Sequence, residues 1–129
     1  MNDLSLESVI GVAALLIHAA KIDEKYSEDE IILVKEFIKS YTKNENNDEI
    51  FKKAEILEKN SNQLLNFTSA VKKNSLDVKS DIVEHLWKII ISDDKIDQYE
   101  SNLMRRVCGL IYFSDKDSAE IKLRLINKK

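Results

Sequence analysis

Proline is absent from the 129 residues, and glycine occurs only at Gly11 and Gly109. These are the two residues that best interrupt helices, so very little in the chain opposes helix formation. The same shortage removes the glycine-rich loops that cradle nucleotide phosphates and the glycine fingerprint of dinucleotide sites. One cysteine, Cys108, allows no disulfide within the chain. It falls in the helical apolar pattern Leu103, Val107, Leu110, which assigns it to the core rather than to redox or nucleophilic work. Two histidines far apart, His18 and His85, cannot complete a zinc site with one thiol. Neither has a glutamate three residues before it, as a di-iron bundle requires. Charge of one sign is also missing: 20 Lys and Arg against 23 Asp and Glu give a net charge of −3. No strong field is available to attract nucleic acid or anionic lipid. The most apolar run, Val9 to Ala20, falls well short of the roughly 20 residues that span a bilayer. The acids Asp3 and Glu7 stand where a signal peptide would be basic, so the cytoplasm is the expected location.

What is present is 43% apolar and 33% charged residues interleaved at spacings of three and four. That period makes the chain all-α, and its length suits one domain over residues 1–129 with a core of its own. The first helix is expected from Ser5 to Lys21, with Leu6, Val9, Ile10, Ala13, Leu16, Ile17 and Ala20 on one stripe. A second begins near residue 28 and turns Ile31, Val34, Phe37, Ile38 and Tyr41 inward. The polar run from Thr42 to Asn47 is a loop. Helix three, Asp48 to Glu58, carries Ile50, Phe51, Ala54 and Leu57. Helix four, Asn62 to Lys72, carries Leu64, Leu65, Phe67, Thr68 and Val71. Asp77 is the expected N-cap of helix five, whose apolar residues are Ile82, Val83, Leu86, Trp87, Ile89 and Ile90. Helix six reaches Ile111, with Leu103, Met104, Val107, Leu110 and Ile111 inward. After the cap Ser114, helix seven runs from Asp115 to Asn127, anchored by Ala119, Ile121, Leu125 and Ile126.

Two of these helices run into similar acidic turns. Leu86 to Ile91 leads into Ser92-Asp93-Asp94-Lys95-Ile96-Asp97 and then Gln98-Tyr99-Glu100. Subtracting 70 from each number gives Leu16, Asp23, Lys25, Ser27 and Glu30, so a helix-turn-helix unit is repeated. Ser27-x-x-Glu30 and Asp97-x-x-Glu100 both read as capping boxes, with the glutamate reaching back to the backbone of the capping residue. A calcium loop of the EF-hand kind is excluded. Aligning Glu100 with its closing glutamate puts Ile89 and Ile91 at the first and third ligand positions, and the first turn puts Ala19 and Lys21 there. His18 and His85 read as structural, Trp87 and Tyr99 as packing residues. Arg105 and Arg106 are expected to pair with acids of neighbouring helices, a docking role being the alternative.

The second turn, from Leu86-Trp87 through Asp93 and Glu100 to Arg105-Arg106-Val107, resembles the C-terminal half of the tellurite-resistance protein B-like (TerB-like) family. Leu15-Leu16 through Asp23 to Glu30 resembles its N-terminal half, and Leu64-Leu65-Asn66-Phe67-Thr68 its middle. The resemblance implies a compact bundle of about seven helices, shared with the N-terminal part of a membrane-anchored DnaJ-like co-chaperone. It also implies an acidic metal site, which by position would be Asp23, Glu30, Asp93 and Glu100. Such a set of carboxylates suits a hard divalent cation, Ca²⁺ or Mg²⁺. Two departures bear on it. Glu24 and Asp94 stand where the family usually has glycine, and Lys25 and Lys95 stand where it is often acidic. The J-domain of a co-chaperone needs His-Pro-Asp, which a chain without proline does not contain.

The function expected is therefore a non-enzymatic binding or adaptor module in stress response, with a protein partner and an acidic metal site. Association with membrane-linked complexes is compatible with it; nucleic acid is not an expected partner. The alternative is a protein-interaction domain without metal, in which the acidic turns serve only as helix caps.

Overall fold

The computed structural model describes residues 5–21, 27–42, 47–61, 63, 65–69, 71–91 and 98–127, without the side chains of 65, 66 and 98–100. The chain folds as helices α1 (Leu6–Lys21), α2 (Glu28–Thr42), α3 (Asn47–Asn60), α4 (Leu65–Thr68), α5 (Leu76–Ile91), α6 (Gln98–Ile111) and α7 (Asp115–Asn127). Among the described residues there is no strand, and the all-α expectation holds.

The repeat is visible in the helix boundaries. α1 and α5 are both 16 residues long. The starts of α5 and α6 each lie 70 residues after those of α1 and α2. Even the caps correspond: the Ser8 amide donates to Ser5 Oγ at 3.1 Å, and the Val78 amide to Ser75 Oγ at 3.3 Å. Ser75, not Asp77, therefore caps α5. Asp77 sits inside the first turn, where its charge faces the positive end of the helix macrodipole.

α1 is buried on almost every side, from Ser8 through Ala20 with only Ile10 and His18 partly exposed. A helix that is apolar all round belongs at the centre of a bundle, and α1 packs against α2, α3, α4 and α5. Gly11 lets the backbone of α4 come close. A Cβ built there would lie 3.1 Å from the Phe67 carbonyl oxygen. α5, carrying Ile82, Val83, Leu86, Trp87, Ile89 and Ile90 into the same core, packs against α1, α2, α6 and α7.

Three expectations are corrected. The fourth helix is only Leu65–Thr68, continued by turns in which the Val71 amide donates to Thr68 O and the Asn74 amide to Val71 O. Thr68 and Ser69 are residue types that favour turns over a longer helix, and the Asn74 side-chain amide donates to Val71 O at 3.4 Å. In α7 it is Ser118 and Ile121 that are buried, whereas Ala119 is exposed and Ile126 is 38% exposed. The inward line is set by a polar need of Trp87 described below. Leu6, at the open end of α1, is exposed rather than part of the stripe.

α6 stops without a glycine. The Phe113 amide donates to Cys108 O at 2.8 Å and the Tyr112 amide to Gly109 O at 3.4 Å, the two bonds of a Schellman motif. The left-handed residue that closes it is Tyr112, with φ of 60°.

Candidate functional site

The first acidic turn delivers the chain into α2 through the expected capping box. The Ser27 amide donates to Glu30 Oε1 at 2.9 Å, the Ser27 hydroxyl to the same oxygen at 3.1 Å, and the Glu30 amide returns to Ser27 Oγ at 3.2 Å. Two of the backbone donors that a helix start leaves over are thereby satisfied. Glu28, Asp29 and Glu30 all lie in the first turn, at the positive end of the macrodipole. Glu30 differs from the other two in being only 4% exposed.

Of the four residues expected to hold a metal, Glu30 is the one whose side chain is described. Asp23, with Glu24, Lys25 and Tyr26, lies outside the described residues, as do Asp93, Asp94, Lys95 and Asp97, the residue expected to cap α6. Glu100 is the third residue of α6, as Glu30 is the third of α2, but its side chain is outside the described set. Among the described residues, no three His, Cys, Asp or Glu gather as a metal-holding group.

The last turn of α1, which leads into that acidic turn, is fastened to α3 by Glu58. Its carboxylate accepts from Lys21 Nζ at 2.8 Å, and His18 Nδ1 lies 3.3 Å from its other oxygen. Burial pushes the Glu58 carboxyl up, but the Lys21 and His18 contacts outweigh it and hold the group below the usual glutamate range. Sequence reasoning missed this residue. Its partners are 37 and 40 positions away, beyond any local pattern.

The other reactive side chains are tied into the scaffold. Tyr41 donates to Asp81 Oδ2 at 2.6 Å, and burial together with that carboxylate raises the phenol well above its ordinary range. His85 Nδ1 lies 2.8 Å from the Asp81 carbonyl oxygen, and its ring meets Phe37 edge-on at 5.2 Å. Cys108 is 1% exposed, and burial pushes its thiol up. Trp87, 5% exposed, donates from Nε1 to Ser118 Oγ at 2.9 Å. Arg105 and Arg106 are exposed, and among the described residues neither makes the expected ion pair.

Among the described residues, no helix is long and apolar enough to cross a membrane. Neither a curated protein nor a solved structure matches the chain. One family model does: TerB, the tellurite resistance protein TerB, matches residues 9–123. That span begins inside the first helix of the repeat and ends inside α7, taking in both acidic turns, and the chain belongs to the TerB family.

Proposed function

We propose that the chain is a single-domain, non-enzymatic binding module of the TerB type, an adaptor in a cytoplasmic stress response whose acidic turns take up Ca²⁺ or Mg²⁺. The ligands in this reading are Asp23, Glu30, Asp93 and Glu100. What supports it is the place of Glu30, a residue 4% exposed in the first turn of α2 directly after the first acidic turn. Its carboxylate already accepts hydrogen bonds in the capping box, and a hard cation is a further partner that carboxylate oxygens suit. The non-enzymatic part rests on the side chains that could do chemistry. Cys108 is buried, and Tyr41 and His85 are engaged with Asp81 in hydrogen bonds of the scaffold.

A second reading has its own support. Oε1 of Glu30 accepts from both the amide and the hydroxyl of Ser27, which is a sufficient structural reason for the residue. In that reading the turns are caps, and the module binds a partner without an ion. Thermal melts with and without Ca²⁺ or Mg²⁺ separate the two. A cation present at 100 times its dissociation constant raises folding stability by about 2.7 kcal/mol. A melting curve indifferent to millimolar concentrations of both ions leaves the cap reading standing and removes the metal.

A further inference from the structure

A groove of about 220 Å³ opens where the start of α5 meets α7. Its floor is apolar, made by Phe113 and Ile121, which are 6% and 4% exposed. Leu76 forms one lip and is 61% exposed. Beside Phe113 stands Tyr112, 72% exposed and in the left-handed conformation that glycine adopts freely and tyrosine does not. The ammonium of Lys79 lies 5.9 Å from the centre of its ring. Leu76 is thus held out at the groove, and Tyr112, the chain neighbour of the floor residue Phe113, is held out against the preference of its own backbone.

Acids outnumber bases among the described residues that line the groove. Asp77, Asp117 and Glu120 line it, with Arg124 the one base. The Arg124 guanidinium is engaged elsewhere, 3.4 Å from Glu84 Oε1, and Lys122 is drawn over the Trp87 ring at 5.2 Å. Asp77 and Asp117 lie in first helical turns, where the macrodipole favours acids for its own reasons. Glu120, further along α7, has no such reason. The groove has room for one large side chain and not for the whole face of a helix.

We propose that this groove is the docking surface for a short segment of a partner protein that carries one large apolar side chain flanked by lysines or arginines. The apolar side chain seats on Phe113 and Ile121 beside Leu76, and the flanking cations meet Glu120, Asp117 and Asp77. The proposal rests on the adaptor reading and names its partner's chemistry. It uses none of the four metal-site residues, so the two can fail separately.

The test is a titration of the full chain with the peptide acetyl-Arg-Lys-Leu-Lys-Arg-amide, followed by amide chemical shifts. Ser80, Phe113 and Ile121 should shift saturably. Peptides with serine for the leucine, or with glutamates for the four bases, should bind at least tenfold more weakly. Leu76→Ser combined with Glu120→Lys should weaken binding at least tenfold while the remaining spectrum stays folded, because both side chains are exposed. Unshifted groove amides, equal binding of the acidic peptide, or full binding by the double variant would each overturn the proposal. Shifts of the same amides on concentrating the protein alone would give the groove to a second copy and overturn it as well. Adding Ca²⁺ to the same sample reports on the acidic turns independently.

Discussion

Trp87 Nε1 donates to Ser118 Oγ at 2.9 Å across the α5–α7 contact, and both residues are buried. The bond explains why a serine rather than the neighbouring alanine faces inward on α7. A tryptophan brought into a core must satisfy its N–H, and a serine hydroxyl can accept without adding bulk.

Trp87→Ala should therefore cost about 3 to 5 kcal/mol, the usual range for a deleted core aromatic. Ser118→Ala should cost about 1 to 3 kcal/mol, because it strands a buried donor. Adding Ser118→Ala to Trp87→Phe, which has no donor to strand, should cost much less than Ser118→Ala alone. Urea melts of the four proteins form a cycle that isolates the bond. A cost for Trp87→Ala below about 1 kcal/mol would be incompatible with a buried ring.

Glu58 should give the protein part of its acid limb. Its carboxyl is held below the ordinary range in the folded state by Lys21 and His18, against the effect of burial. A depressed folded pKa contributes stability that is fully present above the unfolded value, about 4.3, and is lost as pH falls through the folded one. Stability measured between pH 6 and pH 3 should fall less steeply in Glu58→Gln than in the natural protein, from a lower starting value. Parallel curves would show that the carboxylate gains nothing from its partners.

Tyr41 works in the opposite direction. Its phenol is raised by burial and by Asp81, so its contribution is complete below about pH 10, the ordinary phenol value, and is lost as pH rises through the folded pKa. The natural protein should lose stability in alkali, and Tyr41→Phe should lack that component. An alkaline limb of the same depth in the variant would assign it to other groups.

Gly109 and Tyr112 exchange the residues a helix end would prefer. A Cβ at Gly109 would meet nothing within 4 Å, so Gly109→Ala should stabilise the chain by about 0.5 to 1 kcal/mol through helix preference. Tyr112→Gly relieves a left-handed residue, worth roughly 1 to 2 kcal/mol. It also adds unfolded-state entropy, so its net effect should lie within about 1 kcal/mol of zero. A loss above about 2 kcal/mol would show that the Tyr112 ring, through Lys79, holds the corner together.

Much of the fold was legible because few residues compete with the helical period. The repeat could be read from Leu16, Asp23 and Glu30 against Leu86, Asp93 and Glu100, and Ser27 with Glu30 formed its box as the spacing demands. What escaped depended on distant partners. The inward line of α7 follows from the indole of Trp87, 31 residues earlier, and Glu58 gains its role from α1. The short α4 reflects local polar competition, where apolar spacing at Leu64, Phe67 and Val71 suggested a longer helix. For the acidic site, the sequence supplied a set of positions, and of these the described side chains include Glu30 alone.

Glu30 and Glu100 allow cap and ligand to be told apart. Each is the third residue of its helix, and Glu30 uses Oε1 for the cap. Gln retains a carbonyl oxygen that can accept the same hydrogen bonds, and it is accepted at that position of a capping box, but it brings no charge to a cation. If the turns are caps alone, Glu30→Gln with Glu100→Gln should lose less than about 1 kcal/mol and melt identically with or without millimolar Ca²⁺ or Mg²⁺. If they hold a cation, the natural protein gains stability from the ion and the double variant loses most of that increment. Its ion-free stability stays level or rises, because like charges that repel one another have been removed. An ion response kept in full by the double variant would move the cation away from these two turns. The assignment to Asp23, Glu30, Asp93 and Glu100 would then be wrong, whatever the ion's effect on the melt.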